Sequence, residues 1–246
     1  MFYIGAKKKL TKGGVCYETT DERLCTGVRP DADDSMGTLA ATFVPISSPD
    51  AAYLAATNYI DPSAISDGSF VSSISDGTQT VHFKTPDGSA TYGVEKRTAP
   101  GGGWATWSEA PDSQRGAGDT LPVFYSNEAT VLRFGLATPV NIFGFEAEPN
   151  AFAVHTMVAK FYDASNNLLG TISRDVDGYA GARLFAAQSD VPIAYVVFSS
   201  DVDWAVGAFR YGNLGGPSPV IPEPGTMLLM GIGGLAVGLG RRFGRK

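Results

Sequence analysis

The chain has 246 residues, a formal net charge of −6 and an apolar fraction of 43%, enough to bury a sizeable core in one or two domains. Only 18% of residues are charged, against ~25% in ordinary soluble domains, and the 30 glycines point to many turns. Residues 222–246 hold one acid against four bases, so removing their +3 leaves −9 for residues 1–221; an acidic body excludes a nucleic-acid partner, which needs clustered Lys and Arg.

Residues 1–38 read as an irregular N-terminal segment. The basic cluster Lys7 to Lys9 with Lys12 has no apolar run behind it, so it is not a secretory signal peptide and reads as a solvated arm. Cys16 and Cys25 bracket CYETTDERLC. Without a nearby His they do not supply four zinc ligands. A disulfide closing a small loop is expected, which fits an oxidising compartment; two free thiols are the alternative.

Residues 39–212 read as one all-β domain. Thr38–Val44 is a first strand, and Ser48–Ile60 holds one short helix started by Pro49 and Asp50. Ile-Ser-Asp-Gly occurs at 65–68 and 74–77. A calcium-binding β-roll needs a Gly-rich pattern that is missing here, so the repeats read as two Asp-Gly turns around a strand, Ser69–Ile74. Gln79–Lys84 alternates, with Val81 and Phe83 on one face, and PDGSATYGVEK adds a turn and a strand. Arg97–Pro122 is a long Gly/Pro-rich loop carrying Trp104 and Trp107; loops of such length are usually functional or disordered.

From Leu121 the β signal is strong. VFYSN, ATVLRFG, NIFGFEAEP, FAVHTMVAKFYD, LLGTISRDV, ARLFAAQS, IAYVVFSS and WAVGAFRYG follow one another with turns between them. Asp163–Asn167 turns a hairpin. Evenly spaced strands without intervening helices predict a β-sandwich or jelly roll.

Residues 213–221 form a Pro/Gly linker, and 222–246 a separate tail. Thr226–Gly240 is uncharged and mostly apolar. As a helix it would span roughly 22 Å, marginal against a bilayer core of ~30 Å. Arg241, Arg242, Arg245 and Lys246 would stay cytoplasmic, leaving the acidic body outside. The order of Pro222, Glu223 and Pro224, then Gly225 and Thr226, an apolar run and a basic end resembles the PEP-CTERM sorting signal of bacterial exported proteins. That resemblance implies recognition by the membrane protease-transpeptidase exosortase, in Gram-negative bacteria that make exopolysaccharide. The tail would park the chain in the inner membrane and then be removed. With IFGFEAEPNAF, FYDASNNLLGTI and ARLFAAQSDVPIAYVVFSS, the body is similar to the β-sandwich cargo of such proteins, which resembles carbohydrate-binding modules in architecture alone.

The search for chemistry is mostly negative. His82 and His155 sit in alternating strand runs, and the H-E-x-x-H, G-x-S-x-G and P-loop patterns are absent. Glu146 and Glu148 lie two apart on one strand face; they could be a glycosidase pair but read as a solvent-facing strand edge. Asp175 and Asp177 before Gly178 resemble part of a calcium loop without its closing Glu, since position 184 is Leu, and read as a turn. Trp104 and Trp107, near Glu109 and Asp112, are the candidate sugar platform. Sugar faces stack on aromatic rings, carboxylates accept from hydroxyls, and both indoles are expected to face solvent at one end of the sandwich.

The expectation is therefore a non-enzymatic exported surface or extracellular-matrix protein, possible polysaccharide binding included, with no cofactor, metal or catalytic residue. The alternatives are a secreted glycan-active enzyme on the same scaffold, or a structural protein that stays anchored in the membrane.

Overall fold

The computed structural model describes the backbone of residues 7–11, 14–18 and 23–27 and the full structure of residues 41–213. The chain divides into two compact units, Met1–Ala40 and Ala41–Lys246. The first unit is not the irregular arm expected: β1 (Lys7–Thr11), β2 (Gly14–Glu18) and β3 (Arg23–Gly27) form an antiparallel sheet in the order β1-β2-β3. Each strand has five residues and few apolar ones, so its alternation is too brief to stand out beside the lysine cluster.

The register sets Cys16 opposite Cys25. Opposed positions of an antiparallel pair have Cα separations of ~4.5–5.5 Å, inside the ~4.4–6.8 Å that a disulfide spans. Alkylation of exported, non-reduced protein is expected to leave both thiols unlabelled; labelling of both would show the pair open.

The second unit is all-β with one short helix. Its elements are β4 (Phe43–Ile46), α1 (Ala51–Ala56), β5 (Asn58–Tyr59), β6 (Phe70–Val71), β7 (Ser73–Ser75), β8 (Thr80–Lys84), β9 (Val94–Ala99), β10 (Leu121–Tyr125), β11 (Val131–Pro149), β12 (Val154–Tyr162), β13 (Leu168–Asp177), β14 (Arg183–Ser199) and β15 (Trp204–Gly212). The single strand expected at 69–74 is split into β6 and β7, which pair with different partners, β9 and β8. Gly68 and Gly77 have φ of 79° and 87°, the left-handed conformation that makes both Asp-Gly turns cheap for glycine alone.

Four of the expected strands merge in pairs. β11 joins ATVLRFG to NIFGFEAEP, and β14 joins ARLFAAQS to IAYVVFSS. Each long strand is bent where it contains a proline, Pro139 and Pro192, and the β11–β14 register shifts between Gly135 and Ile142. Proline has no N–H to give the ladder, so side-chain amides step in. Gln79 donates from Nε2 to Thr138 O at 2.6 Å and accepts from Thr138 N at 3.2 Å, and Asn141 Nδ2 donates to Ser189 O at 2.9 Å.

The bends let one sheet face itself. The sequence predicts a sandwich or jelly roll; the hydrogen bonds describe a continuous twelve-stranded sheet. One half runs β13-β12-β14-β11-β8-β7, through the C-terminal part of β14 and the N-terminal part of β11. The other runs β4-β14-β11-β15-β10-β9-β6, through their remaining parts, with β5 on β15. Phe134 of the first half meets Phe145 and Phe209 of the second at ring-centroid distances of 4.9 and 5.8 Å. Apolar rings from both halves thus fill one core.

The outer face of the second half is covered as well. Asp50 caps α1 by accepting from Tyr53 N at 2.9 Å. Tyr53 then packs with Ile142, Leu184 and Ala186. Gly144 permits this approach, since a Cβ there would run into the Ala186 side chain and the Tyr53 hydroxyl. Among the described residues, no helix is long and apolar enough to cross a membrane. The expected tail helix at 226–240, Pro222, Glu223, Pro224 and the terminal bases lie outside the described residues.

Candidate functional site

The loop from 100 to 120 lies over the outer face of β10, β15 and the C-terminal part of β11. Gly101, Gly103 and Gly118 take φ of 96°, 88° and 79°, and Arg115 holds the turns together from inside. Its guanidinium donates to the carbonyls of Ser108, Trp107 and Asp119 at 3.0, 3.1 and 2.7 Å. It also pairs with Glu109 at 3.0 Å.

Trp104 and Trp107 do not face solvent. They are 5% and 2% exposed and pack with Leu121, Val123, Tyr125, Ala205 and Ala208. An indole on a Gly-rich loop gains more by covering the apolar outer face of a sheet than by standing in water. The sugar platform expected from them, with Glu109 and Asp112, therefore has no basis. Glu109 is turned to Arg115, and Asp112 pairs with Arg183 at 3.0 Å.

Glu146 and Glu148 are likewise not a solvent-facing strand edge, for both are fully buried beneath this loop. Glu146 Oε2 accepts from Trp107 Nε1 at 3.0 Å and Ser113 Oγ at 2.6 Å, and its Oε1 accepts from Gln114 N at 2.7 Å. Glu148 Oε2 accepts from Trp104 Nε1 at 2.7 Å, and its Oε1 accepts from Thr106 Oγ1 at 3.1 Å and Gly181 N at 3.2 Å. The two carboxylates are anchors that strap an irregular loop to a sheet. A signal for this was present: the positions sharing their face, Ile142 and Gly144, are not polar, which marks a strand buried on both sides. Ser113, Gln114 and Arg115 had no recognisable motif.

Burial pushes the pKa of Glu146 and of Glu148 up, and the donors around each partly offset it. A carboxyl raised in the folded state keeps its proton above the ordinary value of 4.5, where the unfolded chain has lost it. The stability it contributes is whole below that pH and declines as pH rises through the folded value. Urea midpoints of the wild type are expected to fall as pH rises above 4.5, and Glu146→Gln to flatten that fall. Equal slopes for both proteins would remove Glu146 as a cause.

The remaining candidates stay apart from this loop. His155 Nδ1 lies 2.9 Å from Asp201 Oδ1, and His82 sits on β8, where the register places it between Ser73 and Gly135. Asp175 accepts from Thr156 Oγ1 at 2.7 Å and Asp177 from Tyr179 N at 3.0 Å, as turn and cross-strand residues do. Among the described residues, no group of three or more His, Cys, Asp or Glu is placed to hold a metal ion.

The deciding comparison concerns the tail. Residues 220–246 match the family described as the PEP-CTERM protein-sorting motif. The chain carries a PEP-CTERM sorting signal. Pro222, Glu223, Pro224, Arg241, Arg242, Arg245 and Lys246 all fall within the matched segment. A PEP-CTERM signal implies an exported protein sorted by exosortase. No curated protein matches the chain. The crystal structure of the bacteriophage CBA120 tailspike protein 4 enzymatically active domain is similar over 56% of this chain and 20% of its own, at 15% identity and a TM-score of 0.28. A likeness of that size carries no argument about fold or activity.

Proposed function

We propose that the protein is a non-enzymatic component of the cell surface or extracellular matrix, whose β body is a binding module for polysaccharide. The match at 220–246, beyond the last described strand at Gly212, carries the surface or matrix part of this reading. In it, residues 226–240 insert in the inner membrane as a helix, Arg241, Arg242, Arg245 and Lys246 hold the cytoplasmic side, and exosortase acts at the Pro222-Glu223-Pro224 tripeptide. The non-enzymatic part is supported by Glu146 and Glu148. The carboxylate pair closest to a glycosidase arrangement in the sequence is buried and occupied by loop donors, so neither group is presented to a substrate.

The test is intact-mass measurement of the mature protein in a host that has exosortase. Wild type is expected to lose its C-terminal segment, and Glu223→Ala to keep it and stay with the membrane, at unchanged β content. A tail retained equally by both would overturn the processing step. Because β15 ends at Gly212, a chain stopped after Gly216 is expected to keep its circular dichroism and urea midpoint. Failure of that chain to fold would make the tail part of the domain.

A further inference from the structure

We infer that the cleft beside Phe152, at the loop end of the sheet, binds a neutral hexopyranose residue of a glycan chain. This deepens the reading of the body as a polysaccharide-binding module and rests on it. The cleft has a volume of about 210 Å³ and is lined by Arg97, Trp104, Thr106, Asn150 and Phe152 among others. It is formed where the β11–β12 turn, the β13–β14 turn and the loop after β9 come together, at the end of the sheet where β11 and β13 finish. Loop clusters on a rigid scaffold are where binding groups concentrate.

Three observations select a sugar. First, Phe152 is 59% exposed and Tyr179 64% exposed, and their rings stack at 5.0 Å and 29°. Burial of such rings is the usual outcome in a core this rich in phenylalanine, so an exposed pair in which Phe152 lines the cavity and Tyr179 backs it by stacking is a platform without a partner. The apolar C–H face of a pyranose matches an aromatic face, while its hydroxyls need donors and acceptors at the rim. Second, the rim is polar: Asn150 and Thr106 line the cleft with Phe152. Although Asn150 Nδ2 donates to Asp203 and Thr106 Oγ1 to Glu148 and Gly178, the Asn150 Oδ1 and Thr106 Oγ1 oxygens can accept from sugar hydroxyls. Third, the wall is pre-set. Glu148 holds Trp104 and Thr106 in place through 2.7 and 3.1 Å hydrogen bonds, so the cleft exists before a ligand arrives, which lowers the ordering cost of binding. The cavity is smaller than the ~300–1,000 Å³ of drug-sized sites, as suits one sugar unit of a chain that runs past it.

Charge selects a neutral one. Among the described residues, Arg97 is the only charged one lining the cleft. Its guanidinium is already engaged, pairing with Glu95 at 2.7 Å, donating to Gly103 O at 3.2 Å and lying 4.1 Å over the Tyr125 ring. With the net charge of the chain at −6, a uronate would meet repulsion and no free cation.

The test is titration calorimetry of the full-length chain in a detergent without a sugar headgroup. The probes are maltohexaose, cellohexaose and mannohexaose, with hexamannuronate as the anionic arm. At least one neutral hexasaccharide is expected to bind. Phe152→Ala should weaken it roughly tenfold or more and Tyr179→Ala by a smaller factor, while Phe70→Ala, at an exposed aromatic on another strand, should leave it unchanged. If Phe152→Ala does not fold, the Tyr179→Ala arm decides alone. Binding of none of the neutral sugars, binding of hexamannuronate only, or undiminished binding by the deciding variant would overturn the proposal. So would an aromatic variant that splits an oligomer in sedimentation while no sugar binds, since the patch would then be a protein interface. C-terminal processing is read separately by mass, so normal sorting without sugar binding would sink the cleft alone.

Discussion

Glu146→Ala is expected to lower the stability of the β body by about 3–5 kcal/mol. The carboxylate is the acceptor for Trp107 Nε1, Ser113 Oγ and Gln114 N. Removing it leaves two buried donors and one half-buried, each buried one costing about 1–3 kcal/mol when unmade, and water entering the freed space recovers part of the sum. Glu146→Gln should cost less, because its carbonyl can still serve Trp107 and Ser113 and only the Gln114 bond is lost. Urea denaturation measures both. A double-mutant cycle with Trp107→Phe isolates the indole bond; a coupling energy near zero would mean that the loop is held by indole burial alone.

Phe134→Ala should have an effect of similar size, about 3–5 kcal/mol, by a different route. Phe134 meets Phe83, Phe145, Phe198, Trp204 and Phe209 at ring-centroid distances of 5.8, 4.9, 6.0, 5.9 and 5.8 Å. It is one of the rings through which the two halves of the sheet meet, beside Phe83, Phe145 and Phe198, so its loss opens a cavity at their junction. A cost under about 1 kcal/mol would show that the remaining rings hold the two halves together without Phe134. Phe152→Ala, at a ring 59% exposed, makes the comparison on the same scale and should change the midpoint little.

Period-2 alternation made the all-β class legible, and Val81 and Phe83 are buried on the face that the pattern assigns them. The Asp50 cap placed α1 in the same way. What alternation does not carry is continuity through a proline. The runs on either side of Pro139 and of Pro192 read as separate strands, yet Gln79 and Asn141 supply side-chain bonds beside the prolines, and the strands run on. Nor does it distinguish a polar face turned to water from one turned to a loop. Glu146 and Glu148 alternate like exposed residues, and their donors come from residues 104–114 and from Gly181, so the pairing exists only in the folded chain. Trp104 and Trp107 were misplaced for the same reason. Their Gly-rich context describes how freely the loop can bend, and the sheet face it bends onto is built largely from β10 and β15, later in the chain.

The position of β15 sets how the body would respond to force. β15 is paired with β11 on one side and with β10 and β5 on the other, and it is the last described strand before the sorting segment. While the protein is held by that segment, drag on the body enters through Gly212 and runs along a strand interior to the sheet. An edge strand can be peeled away one hydrogen bond at a time. A strand clasped on both sides must slide past its neighbours, so bonds on both flanks are loaded together. Such a body would resist tension applied through its C-terminal end better than one whose terminal strand lay at an edge.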